Sequence, residues 1–263
     1  MQGLILAAGM GLRLGEHTKQ NPKCMLEING ERLIENQINS LRNAGINKVV
    51  IVCGHRKEVL KEFVLNKFKD MEITFVENDD YKTTNNIYSL YLAKNWLAKE
   101  DTVLIESDLI FEPKLIEEMV EDKEENIVAV SKYKSWMDGT VVTINNKDNY
   151  IKKFYEKNDF NDKNMNDYYK TVNIYKLNKN FCSNLYIPCL ENYIKEEKKN
   201  EYYEVGFKDL VNNNVKMKAK KIETEKWYEI DTVQDLDIAK CLFRRQVKQL
   251  SKKIRRILEI SRP

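Results

Sequence analysis

Residues 4–30 read "LILAAGMGLRLGEHTKQNPKCMLEING", and this segment gives the first indication of the fold. The apolar run at residues 3–8 predicts a buried strand. It leads directly into a loop that contains Gly9 and Gly11, and glycine allows a positive φ or a close approach of the backbone to a ligand. Such a loop lies at the carboxyl edge of a parallel sheet, where open α/β sheets bind their ligands.

Two cations accompany this glycine loop. Arg13 offers a planar fork of N–H donors that suits a phosphate group, and Lys23 adds a mobile positive charge. The P-loop pattern GxxxxGK[ST] is absent. The second predicted strand ends at the first residue of CGHRKE, so the acidic residue that a dinucleotide-binding fingerprint has at the end of this strand is missing. The loop is therefore either a surface turn with two solvated cations or a phosphate-binding loop of another kind.

Further apolar runs alternate with segments of helical periodicity. The buried strands are expected at 48–53, 73–78, 102–107 and 126–132. Strands of this kind, separated by helices, form a parallel sheet that is covered on both faces. From about residue 133 the pattern changes to that of a mixed sheet with helices near 178–197 and 201–213. We expect an α/β fold with a mixed, mainly parallel sheet and helices on both faces.

The amino-acid composition excludes several kinds of catalytic and metal site. The chain has 263 residues, of which 42% are hydrophobic, and no apolar stretch approaches the ~18 residues of a membrane span. Its five cysteines form no CxxC pair, and we expect reduced thiols in a cytoplasmic protein. Only two histidines are present, which removes most histidine-based metal sites and nucleophile systems. Any chemistry is then expected to depend on carboxylates, cations and a metal ion.

The charge is unevenly distributed along the chain. Residues 244–263 contain eight Lys or Arg and one Glu, a net charge of +7, which leaves a mildly acidic body. Apolar residues recur at helical spacing in this segment, so it predicts a basic amphipathic helix. Such a helix can pack on the body or within a homo-oligomer, contact an anionic membrane surface, or lead to a further domain. Nucleic-acid binding is not expected, because the body has no basic excess.

The segment LAAGMGLRLGEHTKQNPK resembles the signature L-A-A-G-x-G-[ST]-R-[LM]…T…P-K of the nucleotidyltransferases that activate sugar phosphates and phosphoamino-alcohols. One departure is Leu12, where the family usually has Ser or Thr. Three later blocks resemble bacterial phosphocholine cytidylyltransferase and its relative that acts on aminoethylphosphonate: NDDYKTTNNIYSLYLAK (78–94), IESDLIF (105–111) and WYEIDTVQDL (227–236).

The resemblance implies a fold and a domain organisation. The fold is a Rossmann-like, GT-A-like nucleotidyltransferase fold in one domain, residues 1–243. Its nucleotide-binding part covers about 1–132 and its acceptor-binding part about 133–243, and the basic helix at 244–263 follows. The implied reaction is transfer of CMP from CTP to a small phosphorylated amino alcohol or aminophosphonate, with Mg²⁺ as cofactor and release of pyrophosphate.

Two carboxylates are the candidate metal ligands. Asp108 follows the fourth strand and Asp231 follows WYEI, and both supply the hard oxygen atoms that suit Mg²⁺. Asp108 is otherwise a turn residue, and Asp231 with Gln234 otherwise forms a capping box for the last helix. The resemblance implies that both hold metal, and that Arg13 and Lys23 stabilise the triphosphate.

The resemblance also implies residues that bind the nucleotide. Glu106 is the weaker candidate among them, because alternate strand residues point to opposite sides and it is expected to face away. Thr84 is otherwise a helix cap for a helix that Asn85 opens. The implied nucleotide-binding residues are Leu6, Ala7, Ala8, Gly9, Gly11, Arg13, Lys23, Thr84, Asn85, Ser89 and Glu106.

The acceptor pocket is less determined by the sequence. A quaternary ammonium group is attracted to aromatic faces, and Trp136, Tyr202 and Trp227 are the candidates, although each of them also suits core packing. Asp138 and Glu204 have the charge to complement a cation, but we expect both on the solvated surface.

Two other functions remain open at this point. A sugar-1-phosphate nucleotidylyltransferase that uses UTP or dTTP has the same glycine loop. A nucleotide-binding, membrane-recruited module without catalysis is consistent with the loop and the basic tail. A glycosyltransferase is less favoured, because the cations of the loop then have no evident role.

Overall fold

The computed structural model describes residues 1–156, 159 and 162–244. The strands are β1 (Gln2–Ala7), β2 (Glu27–Ile28), β3 (Glu31–Arg32), β4 (Lys48–Cys53), β5 (Glu72–Glu77), β6 (Thr102–Glu106), β7 (Leu109–Phe111), β8 (Ile127–Lys132), β9 (Val141–Ile144), β10 (Ile151–Tyr155), β11 (Tyr168–Leu177), β12 (Lys218–Ile222) and β13 (Trp227–Glu229).

The helices connect these strands. They are α1 (Glu16–Lys19), α2 (Leu33–Asn43), α3 (Lys57–Lys67), α4 (Asn86–Leu92), α5 (Lys94–Leu97), α6 (Lys114–Glu121), α7 (Lys179–Phe181), α8 (Ile187–Lys195), α9 (Glu204–Asn212) and α10, which covers 233–244 of the described chain. One π-helical turn, Cys182–Tyr186, joins α7 to α8, so the helix predicted near 178–197 is interrupted. None of the helices in the described part of the chain is long and apolar enough to cross a bilayer.

One sheet of nine strands runs through both halves of the chain. Its order is β10-β9-β11-β6-β1-β4-β5, and β8 pairs with both β11 and β12. The strands β6, β1, β4 and β5 pair in parallel, whereas β11 is antiparallel to β6, β8 and β9. The predicted mixed sheet is confirmed. Because β1, β4 and β6 are parallel, their carboxyl ends meet at one edge, beside the glycine loop.

The two faces of the sheet pack against different helices. Leu4 and Leu6 of β1 point into a core that includes Ile87 of α4, whereas Ile5 of the same strand packs with Ile38 of α2 on the other face. Alternate residues of a strand point to opposite sides, which explains this division. Each fully buried aliphatic side chain of this kind contributes about 1.5–3 kcal/mol. Helices on both faces are thereby confirmed.

A third, smaller core supports the glycine loop. Leu14 of the loop packs with the β2–β3 hairpin, the β7–β13 ribbon and α10, whose side chains Leu236, Ala239 and Phe243 are buried. The loop is therefore anchored to a part of the chain more than 200 residues away in sequence. The basic tail predicted at 244–263 lies outside the described residues, apart from Arg244.

Candidate active site

A cavity of about 850 Å³ opens at the carboxyl edge of the parallel strands. The glycine loop, residues 8–15, forms one wall, and the end of β6 forms the floor. The segment between β5 and α4 forms a second wall, and residues from β11, α9 and the end of β13 form the far end. The cavity thus joins segments from both halves of the chain at the position that the sequence predicts for a ligand.

Gly11 and Gly9 contribute to the loop in different ways. Gly11 has a φ of 61°, and an added Cβ would lie 3.0 Å from Thr18 Cγ2 and 3.2 Å from Lys23 Cβ. An added Cβ at Gly9 would meet nothing within 4 Å, so this residue leaves the backbone open to the cavity. The loop therefore combines a tight turn with exposed backbone, as a cradle for phosphate requires.

The two predicted cations and the two predicted carboxylates meet in one ion-pair network. Lys23 Nζ lies 2.9 Å from Asp108 Oδ2 and 2.7 Å from Asp231 Oδ1, and Arg13 Nη2 lies 2.9 Å from the same Asp231 oxygen. The β7–β13 ribbon brings the carboxylates together, because Ile230 N donates to Asp108 O across it. We call the glycine loop with these four side chains the phosphate end.

These charges stabilise one another. Burial alone lowers the pKa of Lys23, whose side chain is 12% exposed, but the carboxylates of Asp108 and Asp231 outweigh burial and raise that pKa above its ordinary value. Burial raises the pKa of Asp231, and the cations Lys23 and Arg13 reverse this, so that the net shift is downward. The ammonium of Lys23 and the carboxylate of Asp231 are therefore charged at neutral pH.

The phosphate end fits a divalent cation of the magnesium type. Asp108 and Asp231 contact a common ammonium, so both offer oxygen atoms to the same small volume. Asp108 Oδ1 is buried and has no hydrogen-bond partner among the described residues. No group of three or more His, Cys, Asp or Glu side chains suited to a metal occurs in the described part of the chain. Two carboxylates suit Mg²⁺, which takes its other ligands from phosphates and water.

A hydrogen-bonded wall faces the glycine loop. Asn78 follows β5 and is buried, and its amide donates to Ser89 Oγ at 3.0 Å and to Thr84 Oγ1 at 3.2 Å. Asn85 caps α4, because its Oδ1 accepts from Asn86 N at 2.8 Å. This wall presents amides and hydroxyls, which suit the polar edges of a base and a ribose.

The far end of the cavity is a buried cluster of charges. Lys170 is 1% exposed, and its Nζ lies 3.4 Å from Glu229 Oε2 and donates to Thr171 O at 2.8 Å. Glu204, at the start of α9, accepts from Tyr175 Oη at 3.3 Å. Glu106 accepts from the Asn86 amide at 3.4 Å. We call Glu106, Lys170, Glu204 and Glu229 the acidic end, because three carboxylates face one ammonium.

The excess of buried negative charge alters how these groups ionise. Burial raises the pKa of Glu106 well above its ordinary value, and the nearby Asp108 adds to this. Burial raises the pKa of Glu229 to about 7, although Lys170 opposes the rise. Burial also raises the pKa of Glu204 against the same opposing ammonium. The acidic end therefore retains protons at neutral pH, and an added cation would replace them.

The aromatic candidates lie at three different places. Tyr202 is 60% exposed at the rim of the main cavity. Trp136 is 58% exposed, stacks on Tyr228 with ring centroids 5.8 Å apart, and lines an adjoining cavity of about 230 Å³. Trp227 is 4% exposed and packs in the core, and it also lines the adjoining cavity. Of the three, Tyr202 alone lines the main cavity.

Residues 3–160 match the MobA-like NTP transferase domain. The chain belongs to that family. The nucleotidyltransferase resemblance of the glycine loop is thereby confirmed, and the matched segment includes Arg13, Lys23, the polar wall and Asp108.

Two relatives extend the similarity of this NTP transferase chain. It is 30% identical over 239 residues to CMP-5'-(3-aminopropyl)phosphonate synthase of Streptomyces rubellomurinus, covering 89% of this chain and 37% of the relative. It is 40% identical over 108 residues to choline-phosphate cytidylyltransferase of Streptococcus pneumoniae, covering 41% of this chain and 44% of the relative. The chain thus spans less than half the length of these two curated relatives.

A solved structure supports the fold. The structure of CTP:phosphocholine cytidylyltransferase from Streptococcus pneumoniae aligns with a TM-score of 0.77 at 23% identity, over 92% of this chain and 98% of that chain. At this identity the match supports the Rossmann-like nucleotidyltransferase fold and nothing finer. It agrees with the continuous mixed sheet described above.

Several expectations about individual residues are wrong. Glu106 does not face away from the cavity but lines it together with Asp108, because residues two apart on an extended segment share one side. Glu204 is buried and not solvated. For Trp227, the structure favours the core packing that the sequence left open beside acceptor binding, since its strand pairs with β7 and its ring packs among buried residues.

The structure shows neither of the two alternative helix caps. The last helix is capped by Thr232 and Asp235, whose side chain accepts from Thr232 N at 2.7 Å, and not by Asp231 with Gln234. The carboxylate of Asp231 is consequently directed to the cations. Thr84 does not cap α4, because Asn85 does so and Thr84 Oγ1 donates to Asp80 O at 2.9 Å.

Sequence reasoning did not identify Asn78, Lys170 or Asn173 as cavity residues. Asn78 carries a usable signal, because it is the first polar amide after a buried strand. Lys170 lies in YYKTVNIYKL, where a lysine looks like an outward-facing residue of an alternating strand. Asn173 has a φ of 58°, at an irregularity in the β11–β8 pairing that no local pattern predicts.

Proposed function

We propose that the protein is a cytidylyltransferase that transfers CMP from CTP to a small phosphorylated or phosphonylated amine and releases pyrophosphate. The observation that carries the proposal is the single cavity with opposite chemistry at its ends. Its phosphate end places two cations, each paired with a carboxylate, beside a glycine loop, and its acidic end buries three carboxylates against one lysine. An acceptor with an anionic head and a cationic tail fits between them.

The reaction requires no general base. An oxygen of the acceptor's phosphate or phosphonate attacks the α-phosphorus of CTP, a P–O bond forms, and the bond to the leaving pyrophosphate breaks. The attacking oxygen is already an anion, so the main barrier is the approach of two polyanions. Arg13 and Lys23 supply the positive charge that reduces this repulsion. Asp231 and Asp108 hold these two cations at fixed positions.

Asp108 and Asp231 would hold Mg²⁺. When bound, the ion would supply further positive charge to the phosphate groups. The polar wall of Asn78, Thr84, Asn85 and Ser89 would bind the cytosine and ribose, while Leu6, Ala7, Ala8, Gly9 and Gly11 present backbone groups to the nucleotide. In this proposal the part at about 1–132 binds the nucleotide, and the acceptor part at about 133–243 contributes Lys170, Glu204 and Glu229.

The acidic end favours an amine as the acceptor's tail. Three buried carboxylates cannot all be ionised beside a single ammonium without a large desolvation cost, so a second cation would satisfy them. The two relatives, CMP-5'-(3-aminopropyl)phosphonate synthase and choline-phosphate cytidylyltransferase, are named for compounds that contain an amine and a phosphonate or phosphate of this type.

The experiment is a matrix of nucleotides and acceptors. Pyrophosphate release is measured with CTP, UTP, ATP and dTTP against phosphocholine, phosphoethanolamine, 2-aminoethylphosphonate, 3-aminopropylphosphonate and glucose-1-phosphate, with and without Mg²⁺. We expect turnover with CTP and an amine acceptor only when Mg²⁺ is added. Turnover with UTP or dTTP and glucose-1-phosphate would instead identify a sugar-1-phosphate nucleotidylyltransferase. Tight CTP binding without turnover of any acceptor would identify a nucleotide-binding module.

A further inference from the structure

The segment after β4, Gly54-His55-Arg56, lies against the start of the glycine loop and against helix α1, which follows the loop. His55 N donates to Ala8 O at 3.2 Å, where the loop begins. His55 Nε2 lies 2.9 Å from Thr18 O, and Arg56 Nε donates to Lys19 O at 2.9 Å, where the following helix α1 ends. Two residues thus hold the start of the loop and the end of the segment that follows it.

The packing at Gly54 shows how closely these segments approach each other. An added Cβ would lie 2.8 Å from Tyr81 Cβ, 2.9 Å from Ala8 O and 3.0 Å from Asn78 O. No side chain fits in this space. The glycine therefore fixes the distance between the end of β4, the start of the glycine loop and the polar wall.

Thr18 connects the His55 contact to the interior of the loop. It is buried, and its Oγ1 donates to Gly11 O at 2.9 Å, while its carbonyl is the atom that His55 contacts. A displacement of Thr18 would therefore move Gly11, and Arg13 lies two residues further along the same loop. The short helix α1 has only four residues and cannot maintain this arrangement alone.

We propose that His55 is a positioning residue for the nucleotide: its ring N–H fixes Thr18, and through Thr18 the backbone and the Arg13 guanidinium that face the phosphates. The inference rests on the proposed use of the glycine loop as the triphosphate cradle. A carbonyl oxygen can only accept a hydrogen bond, so the Nε2 of His55 carries the hydrogen in this contact. Preorganised donors are effective only while their positions are fixed, which gives this contact its role.

The test compares two substitutions of His55 by calorimetric titration with CTP. His55→Phe retains a planar ring and loses the N–H, whereas His55→Gln retains an N–H that can reach the carbonyl. We expect His55→Phe to weaken CTP binding about fivefold, the effect of one net hydrogen bond. We expect His55→Gln to recover most of that affinity, and the KM of the acceptor to be unchanged in both variants.

The chain offers a matched control. His17 is its only other histidine, and it lies on α1, exposed to solvent, next to Thr18. His17→Phe should bind CTP as the wild type does. Wild-type affinity in His55→Phe, or equal losses in His55→Phe and His55→Gln, would overturn the proposal. So would a loss that merely follows a lower melting temperature. If the unaltered protein binds no CTP, the proposed function fails first, and the two failures are thus distinguished.

Discussion

The two ends of the cavity differ in how their buried charges are paired. At the phosphate end every charge has a close partner of opposite sign: Lys23 contacts Asp108 and Asp231, and Arg13 contacts Asp231. At the acidic end, Glu106, Glu204 and Glu229 share Lys170, and burial raises the pKa of each of these carboxylates. One end is balanced and ionised, while the other is unbalanced and holds protons.

The charge balance of each end indicates which ligand that end can stabilise. A balanced network can exchange partners when a polyanion and a metal ion bind, because its cations and carboxylates each have a new partner available. A network with an excess of carboxylates is stabilised by an added cation, without any anion. A substrate pair with polyphosphate at one end and an ammonium at the other satisfies both requirements.

The largest expected effect comes from removal of the ammonium at the centre of the balanced end. Lys23→Ala removes the ammonium that Asp108 and Asp231 share and leaves only Arg13, which contacts Asp231. The change should lower kcat by about 10³-fold while circular dichroism shows a folded protein. Lys19→Ala is the matched control, because Lys19 is exposed and pairs only with Glu16 among the described residues. A Lys23→Ala protein with wild-type turnover would remove the phosphate end from the mechanism.

The phosphate end is also the part that the sequence predicts best. Arg13, Lys23, Asp108 and Asp231 follow strand ends or stand in a motif, and the parallel order of β1, β4 and β6 then places strand ends side by side. The alternation of strands and helices likewise predicts the parallel part of the sheet, because its apolar runs suit strands that are buried on both faces.

The acidic end is not predictable in the same way. Lys170 lies on an antiparallel strand, Glu204 begins a helix, and Glu229 pairs across a short ribbon, so no local pattern connects them. Their proximity depends on tertiary packing, which also decides that Glu204 is buried and that Trp227 is covered. A lysine in a strand and a glutamate in a first helical turn are ordinary surface features in sequence.

A second test concerns the carboxylates of the balanced end. Asp231→Asn keeps the shape of the side chain but loses the charge that pairs with Arg13 and that would hold the proposed metal ion. We expect kcat to fall by about 10²-fold and the Mg²⁺ concentration for half-maximal activity to rise, as measured by titration of Mg²⁺ in the pyrophosphate assay. Asp237→Asn, on the exposed side of α10, should retain wild-type values. An unchanged Mg²⁺ requirement in Asp231→Asn would assign the metal elsewhere.

The unbalanced end should make the reaction depend on pH. Glu229 has a pKa of about 7 in the folded protein, and only its ionised form attracts an ammonium. The kcat/KM for an amine acceptor should therefore rise about tenfold between pH 6 and pH 8, the fraction-ionised change expected for one group. The KM for CTP should vary less, because Lys23 and Asp231 are charged throughout this range.

Glu229→Gln separates this explanation from other titrations. In this variant the kcat/KM for the amine acceptor should be low at every pH and should not change with pH. The same residue affects stability: the unfolded carboxyl ionises near 4.5 while the folded one holds its proton to about pH 7, so the wild type loses stability as the pH rises through this interval. Thermal melts of both proteins from pH 5 to pH 8 check the sign. A steep acceptor profile in Glu229→Gln would contradict the assignment.

The smallest effect is expected for Trp136, and it tests whether the acidic end alone binds the cationic tail of the acceptor. Trp136 lines the adjoining cavity, which shares Arg13, Lys170 and Glu229 with the main one. A quaternary ammonium has no N–H to donate to a carboxylate, so it is stabilised mainly by an aromatic face. A primary ammonium has three N–H donors and is stabilised mainly by carboxylates. Trp136→Ala should therefore raise the KM for phosphocholine about threefold to tenfold and leave that for phosphoethanolamine unchanged. Trp136→Phe, which retains a ring, should restore most of the phosphocholine KM. Equal changes for both acceptors would show that the tryptophan supports the fold of this wall, and that the tail of the acceptor lies at the acidic end.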